Sequence, residues 1–173
     1  MAHYVNNKEF YRVLVEYQTK RTDAIEANKK EPRVPEYIGR CLFQIATRLA
    51  TKPNFSGYTY KDEMVSDGIE NAIMVLNNFN PEKSTNPFAY FTQIIYYAFI
   101  RRIQKEKKQT YIKHKSLENF AMNEALFDTQ DGDSTTYKPV VDLDNEYMAD
   151  FVQTFEDNLK KKREKLDENS SDN

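Results

Sequence analysis

Apolar side chains recur every three to four residues in several stretches of this chain, with polar breaks between them, which is the period of amphipathic helices. The first stretch covers residues 4–20, where Phe10, Val13, Leu14 and Tyr17 share a face and Asn6 or Asn7 is a plausible N-cap. Residues 26–35 are charged, end in P-R-V-P and read as a linker. A second helix is predicted over 36–51, with Ile38, Leu42, Ile45 and Leu49 on its apolar stripe and Pro53 stopping it. The following N-F-S-G-Y reads as a loop. A third helix begins at Asp62, directs Met64, Val65, Ile69, Ala72, Ile73, Leu76 and Phe79 toward a core, and ends at N-F-N-P-E-K.

Asn86-Pro87 has the form of an N-cap followed by proline in the first turn, and a longer fourth helix is predicted from there to about Lys108. Phe88, Phe91, Ile95, Ala98 and Phe99 recur at helical spacing and should face the core. Tyr90, Ile94, Tyr97, Arg101, Lys105 and Lys108 fall on roughly the opposite face. Residues 111–127 carry a weaker helical pattern, and 128–136 are polar. The last amphipathic helix is predicted over 145–165, with Tyr147, Met148, Phe151, Val152, Phe155 and Leu159 as its stripe, before a polar end expected to be disordered. The pattern predicts an all-α fold: a compact helical domain, an acidic linker and a C-terminal amphipathic helix.

Composition supports helices over sheets. Four glycines in 173 residues argue against β-sandwiches, Gly-rich phosphate loops and dinucleotide folds. The single cysteine, Cys41, excludes an intramolecular disulfide, fits a reducing compartment and lies on the apolar stripe of the second helix, where it reads as a buried small hydrophobe. No apolar run reaches the roughly 18 residues of a membrane span, so a soluble, intracellular chain with no membrane partner is expected.

The net charge of −2 hides a segregation. Residues 101–115 hold seven cations (Arg101, Arg102, Lys105, Lys107, Lys108, Lys113 and Lys115) against Glu106 alone. Residues 116–157 hold eleven acids against Lys138 alone. Tyrosines interleaved with arginine and lysine on one helix suit a single-stranded nucleic acid, because bases stack on the rings and phosphates pair with the cations. A solvated helix end followed by an acidic loop would show the same charge pattern.

Enzyme chemistry finds little support. Only His3 and His114 are present, neither stands in a metal-ligand spacing such as H-E-x-x-H, and Asp62-Glu63 at a helix start favour the helix dipole without implying catalysis. No catalytic residue, metal site or cofactor is expected.

The third and fourth predicted helices, in that order and with that turn, resemble the second conserved region of bacterial sigma factors. The likeness runs from Glu63 to Ile103 and includes Glu63-Met64-Val65-Ser66-Asp67-Gly68, then Phe79 eleven residues later and N-P-E-K. The family's promoter-reading helix matches Tyr90-Phe91-Thr92-Gln93 through Ile103, and its partner helix matches I-A-T-R-L-A at 45–50. Y-V-N-N-K-E, N-F-S-G-Y-T, D-G-I-E, N-P-F-A-Y and R-R-I-Q-K-E-K-K, in order, look like the late-promoter sigma factors of T-even-type bacteriophages. Two features depart from that pattern. The chain closes on K-L-D-E-N-S-S-D-N, without the hydrophobic–acidic tail with which such factors dock on the polymerase flap and sliding clamp. Gln93 and Ile94 also stand where host sigma factors carry a tryptophan pair.

The resemblance implies a sigma-type helical domain over 36–110 that binds core polymerase and promoter, preceded by an N-terminal helix and linker over 1–35. An acidic, partly mobile linker over 111–144 and a terminal helix and tail over 145–173 would follow. It implies a factor that joins bacterial RNA polymerase core in the cytoplasm of an infected host and directs initiation at late promoters through an A·T-rich minus-ten element. The expected DNA surface is Tyr90, Gln93, Ile94, Tyr97, Arg101, Arg102, Lys105 and Lys108, meeting promoter DNA with a melted non-template strand. Tyr90 and Tyr97 would stack bases, the cations hold phosphates, and Gln93 read an adenine edge. Glu63, Ser66, Asp67, Glu70, Asn71, Met74 and Asn77 would meet the coiled coil of the polymerase large subunit. Phe151, Val152 and Phe155 are a candidate flap-docking stripe, and a phage co-activator and sliding clamp are further candidate partners. Two rival functions stand beside this one: a polymerase-binding regulator without promoter recognition, and a helix-turn-helix repressor.

Overall fold

The computed structural model describes residues 4–127 and 146–171, with side chains described over 4–120, 150–161 and 163–164. All regular structure among the described residues is helical. The chain divides into two compact units, Met1–Gln104 and Lys105–Asn173. In order the elements are α1 (Asn7–Glu26), α2 (Glu36–Ala50), α3 (Pro53–Ser56), α4 (Lys61–Met74), a 3₁₀ turn (Leu76–Asn78), α5 (Pro87–Phe127) and α6 (Glu146–Ser171). The expected polar segment 128–136 lies outside the described residues.

Asn6 caps α1, its side chain accepting the Glu9 N–H at 3.3 Å. The helix runs six residues past its predicted end, because nothing in R-T-D-A-I-E breaks it. Asn28 stops it, with φ of 51° in the left-handed region that asparagine tolerates. The Asn28 and Lys29 N–H groups then bond back to the Ile25 and Ala24 carbonyls, closing the end in a Schellman arrangement.

The core of the first unit gathers Phe10, Leu14 and Tyr17 of α1 with Ile38, Leu42, Ile45 and Leu49 of α2. Met64 and Ala72 of α4, Leu76, Phe79, and Phe91, Ile95 and Phe99 of α5 complete it. The N-terminal helix is therefore a wall of the same core as the predicted 36–110 domain. Cys41 is buried there as expected.

Two expectations change. N-F-S-G-Y reads as a loop, but its first three residues belong to α3, with Phe55 fully buried edge-on to Phe99 at a ring separation of 5.2 Å. Burying a phenylalanine stabilises by about 1.5–3 kcal/mol, which outweighs the indifferent local propensity. Ile73, expected in the core, is exposed. The face α4 buries runs through Met64, Gly68 and Ala72, so a glycine at 68 takes the place of closest approach.

Gly68 meets α5 directly. A Cβ there would lie 2.8 Å from Ile95 Cγ2 and 2.9 Å from Phe99 Cε1. Only glycine lets α4 and α5 approach this closely.

The second unit pairs the later part of α5 with α6. The weak helix predicted over 111–127 is an uninterrupted continuation of α5, so much of the expected linker over 111–144 is helical. Tyr111 stacks on Phe155 with ring centroids 4.7 Å apart, and its hydroxyl donates to Glu156 Oε1 at 3.0 Å. Lys115 Nζ reaches the same carboxylate at 3.2 Å.

Candidate nucleic-acid and partner surfaces

The start of α5 is held by two side-chain amides, and the turn before it by two more. Asn86 Oδ1 accepts the Ala89 N–H at 3.0 Å, which is the cap its sequence announced. Asn7 of α1 accepts the Phe88 N–H at 3.1 Å and donates Nδ2 to the Thr85 carbonyl at 3.4 Å. In the N-P-E-K turn, Asn80 Oδ1 accepts the N–H groups of Glu82 and Lys83. Gln18 of α1 donates Nε2 to both the Leu76 and Phe79 carbonyls, at 3.0 and 2.9 Å. The helix that displays the candidate residues thus leaves a turn whose geometry is set by side-chain amides.

Along the first unit's part of α5, Gln93, Tyr97 and Arg101 are all exposed. Spaced at four residues, they stand one above the other on successive turns, about 5–6 Å apart. An amide, a ring and a cation form one row. Tyr97 is 52% exposed. Tyr90 and Ile94 are different, being half-buried and packed on the core. The Tyr90 ring lies edge-on to Phe79 at 5.4 Å and to Phe91 at 5.0 Å. Of the two tyrosines expected to stack bases, Tyr97 offers the open face.

Tyr96 is a residue that periodicity missed. It is exposed, edge-on to Tyr97 at 5.8 Å and to Phe55 at 5.6 Å. Its position falls between the two predicted faces of the helix, and only the adjacency in Y-Y hinted at it.

The adjacent arginines part company. Arg102 donates Nε to Asp67 Oδ2 at 2.6 Å and Nη2 to Asp67 Oδ1 at 2.9 Å, a bidentate pair with α4. The side chains are 17% and 31% exposed. Arg101 donates Nη2 to Asn71 Oδ1 at 2.7 Å and stays on the surface. The structure therefore brings Asp67 and Asn71, expected on a polymerase surface, to arginines expected on a DNA surface. Lys105 and Lys108 are exposed residues of α5 that belong to the second unit.

The remaining predicted partner residues of the first unit point outward. Glu63, Ser66, Glu70 and Asn77 are exposed, and Met74 is 73% exposed with Ile73 beside it. Of the candidate flap-docking stripe in α6, Val152 is buried, Phe151 is half-buried and Phe155 is stacked on Tyr111 within the second unit. Cys41 offers no nucleophile at the surface, since burial pushes its thiol above the usual range.

Among the described residues, no three or more His, Cys, Asp or Glu side chains are grouped to hold a metal ion. No helix among them is long and apolar enough to cross a membrane. No protein-family model matches the chain, and no curated protein matches it.

Proposed function

We propose that this chain is a sigma factor of the late-promoter type: it joins a bacterial RNA polymerase core and directs initiation through an A·T-rich minus-ten element. The observation that carries this reading is the exposed row Gln93, Tyr97 and Arg101 on α5. A ring that stacks an unpaired base, flanked by an amide that hydrogen-bonds a base edge and a cation that holds a phosphate, is the chemistry a single strand requires. The amide-braced turn before α5 supports it, since a reading helix must be held in one orientation. Function here needs surfaces, with no catalytic group and no cofactor. The site of action under this reading is the cytoplasm of an infected bacterium.

The polymerase contact falls on the outward face of α4, at Glu63, Ser66, Glu70 and Met74, and on Asn77 of the 3₁₀ turn that follows. A methionine exposed among acids and amides suits a protein partner bearing arginines. That same patch would serve a polymerase regulator without promoter recognition, so the α5 row separates the two readings. A co-activator and a sliding clamp remain candidate partners in the proposal.

Run-off transcription on a supercoiled template with a short A·T-rich minus-ten element tests this. Core polymerase should initiate accurately only with the protein, and Tyr97→Ala should lower initiation while melting like the parent. Core binding without initiation would assign the chain to polymerase regulation instead.

A further inference from the structure

Arg101 and Arg102 reach from α5 to residues one turn apart on α4, and they meet different chemistry there. Arg102 meets a carboxylate at two points, so its charge is compensated within the fold. Arg101 meets a carboxamide, which accepts a hydrogen bond and cancels no charge. Asn71 is itself oriented, because its Nδ2 donates to the Asp67 carbonyl at 2.7 Å, leaving Oδ1 to face Arg101. A carbonyl acceptor on one side and a guanidinium donor on the other allow only that amide orientation.

We infer that Asn71 is a positioning residue that holds Arg101 as an aimed, uncompensated cation for a nucleic-acid phosphate. The amide at 71 and the carboxylate at 67 decide which arginine serves the strand. The inference rests on the reading of α5 as a strand-binding surface and deepens it. An exposed arginine with no anchor spreads its charge over many rotamers, whereas one bonded at Nη2 keeps its other donors turned to solvent in a fixed fork. A carboxylate at 71 would grip that fork from two sides and cancel it, as Asp67 does for Arg102.

The test measures binding of the full chain to a labelled single-stranded A/T oligonucleotide by fluorescence anisotropy over a salt series. Arg101→Ala is expected to weaken binding and to reduce the slope of log K against log salt by about 0.7, one single-strand phosphate contact. Asn71→Asp is expected to lose the same amount although Arg101 is still present, without a lower melting temperature. Combining the two should bring no further loss, because both act through one guanidinium. Asn71→Leu, which removes the acceptor and adds no charge, should weaken binding and leave the slope unchanged. Parent-like binding by Asn71→Asp, or losses that add in the double variant, would overturn the positioning role and leave the strand-binding reading standing. Parent-like binding by Arg101→Ala, or no binding by the parent at low salt, would remove that reading and this inference together.

Discussion

Arg102 and Asp67 join α5 to α4 through two parallel hydrogen bonds, 2.6 and 2.9 Å long, at a place where both side chains are mostly covered. The pair is a structural tie. Asp67→Ala should destabilise the first unit by about 1–3 kcal/mol, because it takes from a covered guanidinium the carboxylate that binds it at two points. Arg102→Leu should cost less, since it removes the partly covered charge and keeps an apolar side chain at that place. Urea unfolding followed by circular dichroism would rank the two. The opposite order would mean that the carboxylate is the worse group to leave behind.

Gly68 and Gly39 make a matched contrast inside helices. At Gly39 nothing lies within 4 Å of a new Cβ, so Gly39→Ala should stabilise by about 0.5–1 kcal/mol. At Gly68 the same methyl group collides with Ile95 and Phe99, both buried. Gly68→Ala should therefore destabilise by about 1–2 kcal/mol despite the better helix propensity. Thermal melts of the two variants should move in opposite directions.

Gln18 bonds two carbonyls that follow α4. Gln18→Leu should cost about 1–3 kcal/mol by leaving those acceptors without a donor. Hydrogen exchange should quicken over residues 76–84 before it changes in α2. Uniform acceleration across the first unit would instead mean that the turn has no separate looseness to reveal.

The second unit should respond to acid. Hydrogen bonds from Tyr111 and then Lys115 hold the Glu156 carboxyl below the usual glutamate range. A depressed carboxyl stabilises the folded form above its ordinary value, and that contribution is lost as pH falls through the depressed one. At the alkaline end, Tyr111 is raised by the hydrogen bond to Glu156, and Lys115 is raised by bonds to Glu118 and Glu156. Their contribution is present below their ordinary values and disappears as pH climbs through the raised ones. Pairing of α5 with α6 should thus be strongest between these limits. The cluster is only partly covered, so added salt should flatten the profile. Hydrogen exchange of the α6 amides across the pH range would follow it, and Glu156→Gln should remove the acid limb.

Much of this architecture was legible in the chain. The period of Phe10, Leu14 and Tyr17, of Ile38, Leu42 and Ile45, and of Phe91, Ile95 and Phe99 placed three helices and their buried faces. Asn6 and Asn86 announced two caps that are present. Such signals are local, since a helix face and its cap depend only on residues within a few positions. Of the exposed row, Tyr97 and Arg101 were legible for the same reason, whereas Gln93 lay outside the face that spacing picked out, and Tyr90 and Ile94, which lay on it, are half-buried.

What tertiary structure decided lies between elements. Tyr90 has the same spacing as Tyr97, yet it is covered because Phe79 from the preceding turn folds against it. Phe55 makes a helix of an unpromising tetrapeptide because Phe99 is there to receive it. Arg101 and Arg102 are neighbours of identical chemistry, and a residue thirty or more positions earlier assigns one to the surface and the other to the fold. A repeating pattern determines which way each helix turns its apolar side. The distance and register between two helices, which Gly68 permits and the core enforces, determine which charges meet.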